Sequence, residues 1–445
     1  MKKGSILIIP TLISISIIGA VFIFINQFFG QQTEKKDTTD SVEKKIELTF
    51  WRNSGNQSEN KAYEELVSKF QMSNPSIKIN MESIPYGDYE VRLRTEFAAG
   101  SPPDIMTIDS PNLGLYANAG SLLSINDYMK EEGGIFDFPK STISGMSFNN
   151  EIYLAPIVES SIALFYNKKI FKEAGIPLPS KDPNNPMTWD EVLEIAKQLH
   201  NPDEGIYAID PAQGFGDGEG PAYFKIPLLW QFGGDVLSPD GLTAKGYLDS
   251  LESLKALQFY QELYNKYNIA EVELPPESFE TGQLAMTVLG SWVLEDLKKN
   301  YPDFILGEDF DVAPLPKGVK QLAPNGGWAL GISAKTKYPE EAWKFVKYIT
   351  SYEGVKTYVS FTGDLPARQS VAKEFPELNE YPKNIFLQQS QKFSKNRPVS
   401  PVYPVISETI KVLFEDVGIG NKDVKKSAEE AVKKIDSSIS KISKP

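Results

Sequence analysis

Downstream of residue 45 the apolar positions change period several times. Ile46-Glu47-Leu48-Thr49-Phe50-Trp51 alternates like a strand and stops at the turn Arg52-Asn53-Ser54-Gly55. Tyr63, Leu66, Val67 and Phe70 then recur at helical spacing over 61–70. Asn74-Pro75-Ser76 breaks that helix, 77–81 reads as the next strand, 89–99 as a helix closed by Gly100, and 104–108 as a short buried strand. Strand, helix, strand, helix, strand predicts right-handed crossovers and a mostly parallel sheet. Further strands are expected at 152–155 and 163–166. Helices with charged outer faces are expected at 189–199, 247–267, 339–351 and 424–440. The chain has 445 residues, too many for one ordinary core, so the pattern predicts two α/β lobes with a cleft between them, where ligands prefer to bind.

The N-terminus has a different pattern. Met1-Lys2-Lys3-Gly4 precedes an apolar run over 5–30 that is long enough to span a bilayer. Because the run continues through Val21-Phe22-Ile23-Phe24-Ile25, residues 1–30 read as an uncleaved signal anchor, with cleavage after Ala20 as the alternative. The two leading lysines favour a cytoplasmic N-terminus, which places the rest outside the cell. Residues 31–45 are rich in Glu, Lys and Asp and form a tether, and 46–445 form the globular part.

Composition removes several chemistries. The chain carries 46 basic and 59 acidic side chains, a net charge of -13, which argues against a nucleic-acid partner. It has no Cys and one His, so disulfides, thiol nucleophiles, Cys-ligated zinc and two-imidazole sites are excluded. His200 closes a helix and reads as a surface imidazole at the helix C-terminus. Asp182, Asn184, Asn185 and Asp190 lack the EF-hand order and read as a polar loop, so no metal is expected. The glycine-rich loop 213–220 fits neither GxGxxG nor a P-loop, and no cofactor is expected.

The order of several short segments resembles one family. They include Leu48-Thr49-Phe50-Trp51, Asn74-Pro75-Ser76-Ile77, Gly100-Ser101-Pro102-Pro103-Asp104-Ile105, Leu164-Phe165-Tyr166-Asn167-Lys168, Thr188-Trp189-Asp190-Glu191 and Trp230-Gln231-Phe232-Gly233-Gly234. Phe279-Glu280-Thr281-Gly282-Gln283-Leu284, Gly290-Ser291-Trp292, Asn325-Gly326-Gly327-Trp328 and Leu365-Pro366-Ala367-Arg368 continue the series. Together they resemble the bacterial extracellular solute-binding proteins of the carbohydrate, maltose-binding-like group that serve ABC importers. The resemblance implies an α/β, two-lobed periplasmic-binding-protein-like fold with a hinge and an interlobe ligand cleft. Lobe 1 would comprise about 46–156 and 275–332, and lobe 2 about 157–274 and 333–445. It also implies a carbohydrate ligand, membrane permease subunits with a cytoplasmic ATPase, a monomeric receptor and no enzymatic step. Gram-positive members are commonly anchored through a lipidated Cys. This chain has none, so the N-terminal helix would hold it at the outer face of the membrane.

A sugar offers apolar C–H faces and a belt of hydroxyls, so its site needs flat aromatic side chains beside planar polar ones. Trp51 ends the first strand and can equally pack or stack; Asn53 and Ser54 occupy the turn after it, and Asp109 and Asn112 follow the 104–108 strand. By the resemblance, Glu159 matches a sugar-binding glutamate at a hinge crossing, Tyr223 a ligand-contacting loop and Trp292 a stacking aromatic. Glu219, Trp230, Trp328, Tyr86 and Arg368 complete the set, while Trp189 and Trp343 read as core. The acidic character of Asp109, Glu159 and Glu219 favours a neutral mono- or oligosaccharide. A secreted glycoside hydrolase, or the same receptor for a polyol or glycerol phosphodiester, remains the alternative.

Overall fold

A computed structural model describes residues 45–131, 134–210 and 218–442; the expected membrane-spanning segment and nearly all of the tether lie outside them. Among the described residues no helix is long and apolar enough to cross a membrane.

The strands that matter here are, in chain order, β1 (Ile46–Asn53), β2 (Ile77–Ile84), β3 (Ile105–Asp109), β4 (Leu154–Pro156), β5 (Val158–Glu159), β6 (Ile162–Asn167), β7 (Tyr207–Asp210), β8 (Leu284–Gly290), β9 (Phe310–Ala313), β10 (Ala323–Asn325), β11 (Trp328–Ile332), β12 (Leu365–Pro366) and β13 (Ser394–Asn396). The helices are α1 (Gln57–Ser73), α2 (Tyr86–Ala99), α3 (Lys140–Gly145), α4 (Trp189–Leu199), α5 (Gly220–Gln231), α6 (Leu251–Asn265), α7 (Val293–Asn300), α8 (Pro339–Thr350), α9 (Tyr352–Thr362), α10 (Lys383–Lys392), α11 (Tyr403–Val417) and α12 (Val424–Ile439).

Two sheets organise two lobes. The first has the order β2-β1-β3-β11-β4, with β1 parallel to β2 and β3, and β11 antiparallel to β3 and β4. The parallel part is the βαβαβ unit that the sequence predicts; β3 is buried along its whole length, as expected of a strand covered on both faces. The second sheet has the order β9-β6-β8-β7, with β8 antiparallel to β6 and parallel to β7. Short pairs, β5 with β12 and β10 with β13, lie where the chain passes between the sheets, at 157–161, 324–327 and 363–376.

This arrangement corrects the expected lobe boundary. Strands β8 and β9, which fall in the 275–332 segment assigned to lobe 1, pair with β6 in the second sheet, where Met286 opposes Tyr166 and Val312 opposes Phe165. Helices α8 and α9, expected in lobe 2, pack on the first sheet: Phe345 meets Phe50 edge-on at 5.3 Å, and Tyr358 meets Tyr63 at 5.6 Å. The physical reason is burial. Leu284–Val288 is apolar on both faces and fits only between two strands, while the apolar stripe of α8 is the cover that β1 lacks. Helices α10, α11 and α12 then close the second lobe, with Phe386 in one of its cores and Ile410 and Ile435 in the other.

Candidate functional site

Between the lobes lies a cleft of about 400 Å3. Its walls come largely from the ends of secondary-structure elements and the turns beside them, where binding residues are carried by a rigid scaffold. From the first lobe come Asn53 at the end of β1, Ser54 after it, Tyr86 at the start of α2, Asp109 at the end of β3 and Trp328 at the start of β11. From the crossings and the second lobe come Glu159, Glu219, Tyr223 and Trp292. Nine of the candidates named from the sequence thus meet in one cleft.

Close backbone approach shapes the aromatic surfaces. Trp292 folds back over Gly290, where a Cβ would lie 2.2 Å from the indole, and its ring sits 6.0 Å from Tyr223. Trp328 stands edge-on to Tyr86 at 6.2 Å and Tyr89 at 5.6 Å. At Gly327 a Cβ would stand 2.2 Å from the Val158 carbonyl oxygen, so the crossings at 157–161 and 324–327 can touch only through glycine.

The polar wall centres on Arg397, which sequence reasoning missed. Its guanidinium grips Asp109 with two bonds, Nη2 to Oδ1 at 2.7 Å and Nη1 to Oδ2 at 3.1 Å, and donates to Glu219 Oε1 at 2.6 Å. It also lies 4.9 Å over the Tyr223 ring. Glu219 accepts from the Tyr403 hydroxyl and from Ser407 Oγ at 2.6 Å, and its backbone N–H donates to the Tyr86 hydroxyl at 3.3 Å. Burial pushes the Glu219 carboxyl up, against the pull of Arg397. The Tyr223 hydroxyl shares a hydrogen bond of 2.8 Å with Ser160.

Glu159 differs from both acids. It is 5% exposed, takes a hydrogen bond on Oε1 from Thr142 of α3, and burial without a cation lifts its pKa to about 8. At the far end Glu59, Asp296 and Asp364 line the cleft. Glu59 pairs with buried Arg52 at 3.2 Å, Asn56 Nδ2 reaches Asp296 across the lobes at 3.4 Å, and burial together with Glu59 raises Asp364 to about 7. Six carboxyl groups and one guanidinium therefore line the cleft, a poor setting for an anion and a good one for a belt of hydroxyls.

Four candidates lie elsewhere. Trp51, two residues before the end of β1, packs on the same core cluster as Tyr89 and Trp328, carries the Arg92 guanidinium 4.4 Å above its ring and does not line the cleft. Asn112 is buried in the turn after β3. Trp230 is 1% exposed and donates Nε1–H to Asp235 Oδ1 at 3.0 Å, so it packs in the second lobe's core. Arg368 donates to the Thr350 carbonyl at 2.6 Å and to Asp137 at 3.1 Å, pinning a crossing. Trp189 and Trp343 are buried, and Asn184 turns back on Asp182 through its backbone and side-chain nitrogens. Among the described residues no cluster of His, Cys, Asp and Glu has the form of a metal site.

Comparison with known proteins follows the same lines. The chain is 27% identical over 345 residues to the maltotriose-binding protein of Pyrococcus abyssi, covering 75% of this chain and 69% of that one. It is 24% identical over 452 residues to a maltooligosaccharide ABC transporter solute-binding lipoprotein of Streptococcus pneumoniae, covering 97% and 96%. A solute-binding protein of an ABC transporter from Thermotoga lettingae, solved with α-D-tagatose, superposes with a TM-score of 0.77 at 26% identity over 88% of this chain and 100% of that one. Residues 54–356, more than half of the chain, match the model of the bacterial extracellular solute-binding proteins, and the chain belongs to that family.

Proposed function

We propose that the protein is the extracytoplasmic sugar receptor of an ABC importer, capturing a neutral oligosaccharide between its lobes and delivering it to a membrane permease driven by a cytoplasmic ATPase. The observation that carries this reading is the cleft itself, with Trp292, Tyr223 and Trp328 beside Asn53, Asp109 and Arg397. Aromatic faces cover the C–H surfaces of a sugar, while carboxylates and the guanidinium accept from and donate to its hydroxyls. The relatives named for maltotriose and maltooligosaccharides support an α-glucan as the first ligand to test. No covalent step is required, and ligand acts by binding the closed arrangement of the lobes more tightly than the open one. In place of a lipidated Cys, residues 5–30 hold the receptor at the outer face of the membrane.

The test is a tryptophan-fluorescence titration with maltose, maltotriose and maltotetraose, followed by chromatography of the recovered sugar. Saturable binding with intact sugar is expected. Cleaved product would favour a hydrolase, and binding of a glycerol phosphodiester but no glucan would move the reading to that ligand class.

A further inference from the structure

Three of the acids lining the cleft sit in the same wall, and only one of them lacks a cation. Asp109 and Glu219 share the Arg397 guanidinium. Glu159 is more than nine-tenths buried, and its surroundings hold no charged partner. From α3 it faces the Thr142 hydroxyl, and across the β5–β12 pair it faces Leu365. The backbone of Gly327 passes its Cα. Tyr223 of α5 is a titratable group that feels the charge of Glu159, and its hydroxyl shares a hydrogen bond with Ser160. A carboxylate in that setting would be a desolvated charge with one hydroxyl to stabilise it, so the neutral acid is favoured.

Resting on the receptor reading above, we propose that Glu159 is a specificity-determining carboxylic acid: with Oε1 occupied by Thr142, it carries its proton on Oε2 and donates it to an acceptor oxygen of the saccharide. An ionised carboxylate can only accept, so the two states select different sugar atoms. A carboxylic acid donor suits a sugar oxygen that has no hydrogen of its own, such as a ring or glycosidic oxygen, which the carboxylates of Asp109 and Glu219 cannot serve. The pKa of about 8 agrees with that state at neutral pH.

Two measurements on the full chain test this. The first is infrared difference spectroscopy across a pH titration of the wild type and Glu159→Gln. A protonated-carboxyl band present in the wild type at about pH 7, lost with a midpoint near 8 and absent from the variant, is expected. An ionised Glu159 at neutral pH overturns the proposal. The second is maltotriose affinity against pH. Wild-type affinity should fall about ten-fold from about pH 7 to about pH 9 as the donor is lost. Glu159→Gln, whose amide still donates, should stay within about three-fold of wild type at about pH 7 and show a flat profile. Parallel losses in both proteins would place the titrating group elsewhere and overturn the donor role. If no form binds maltotriose, the receptor reading fails for this sugar, and the infrared midpoint alone upholds or overturns the proton assignment.

Discussion

Removing Arg397 would leave Asp109 and Glu219 facing each other in a buried wall with no cation between them. Arg397→Ala should therefore cost about 3–5 kcal/mol in urea denaturation. Arg397→Lys should recover only part of that, because an ammonium cannot make the two-pronged contact with Asp109. The tryptophans separate by a different pair of readouts. Trp292→Ala should lower sugar affinity at least about ten-fold while leaving stability close to wild type, through lost stacking. Trp230→Ala should cost about 3–5 kcal/mol of stability through a core cavity and affect affinity only indirectly. Denaturation and binding curves on the two variants check both. In the sequence both indoles lie near a glycine; the resemblance marks Trp292 as the stacking aromatic, whereas Trp230 can as readily pack as bind. What distinguishes them is that Trp230 is inside a helix against Asp235, whereas Trp292 follows a strand end and lies across Gly290. Arg397 had no legible signal, because Asn396-Arg397-Pro398 belongs to no periodic segment and its partners are 178 and 288 residues away.

At the scale of elements, strands and helices with a clear period were readable. The predicted 61–70 helix lies inside α1, the 104–108 strand is β3 shifted by one residue, and the 189–199 helix is α4, closed at its start by a capping box between Thr188 and Glu191. Helix α5 was not readable, because it starts in a glycine-rich loop and contains Pro227, which removes one backbone donor inside an element that tertiary packing nevertheless holds helical. Strand β8 was likewise hidden, as a continuous apolar run has no alternation to reveal it. The glycines at element ends carry their own prediction. Gly290→Ala puts a methyl where the Trp292 ring lies, so the ring must leave its place; affinity should drop while the melting temperature changes little, which calorimetry and titration together would show.

For the whole molecule, two protonated acids in the cleft make stability depend on pH. Glu159 and Asp364 have native pKa values of about 8 and about 7, above their ordinary values of 4.5 and 3.8. The unfolded chain therefore releases these protons earlier than the native one. The stabilisation they give is complete below about pH 4 and is lost as pH rises through about 7 and 8. Denaturation curves from pH 5 to 9 should show stability declining, and the double variant Glu159→Gln with Asp364→Asn should flatten the decline. The two-lobed organisation was legible in the sequence, but the exchange of segments between lobes was not, because a helix's apolar stripe does not say which sheet it will cover.

That exchange of segments has a bearing on synthesis. The first lobe opens with β1 but lacks a strand of its sheet and its covering helices until residues 328–362 have been made, and the second lobe begins inside that gap and is finished only by α12. A growing chain thus holds no complete lobe for most of its length, and the unit begun second is the last to close. Neither lobe can close its core before the segments that follow residue 328 are in place.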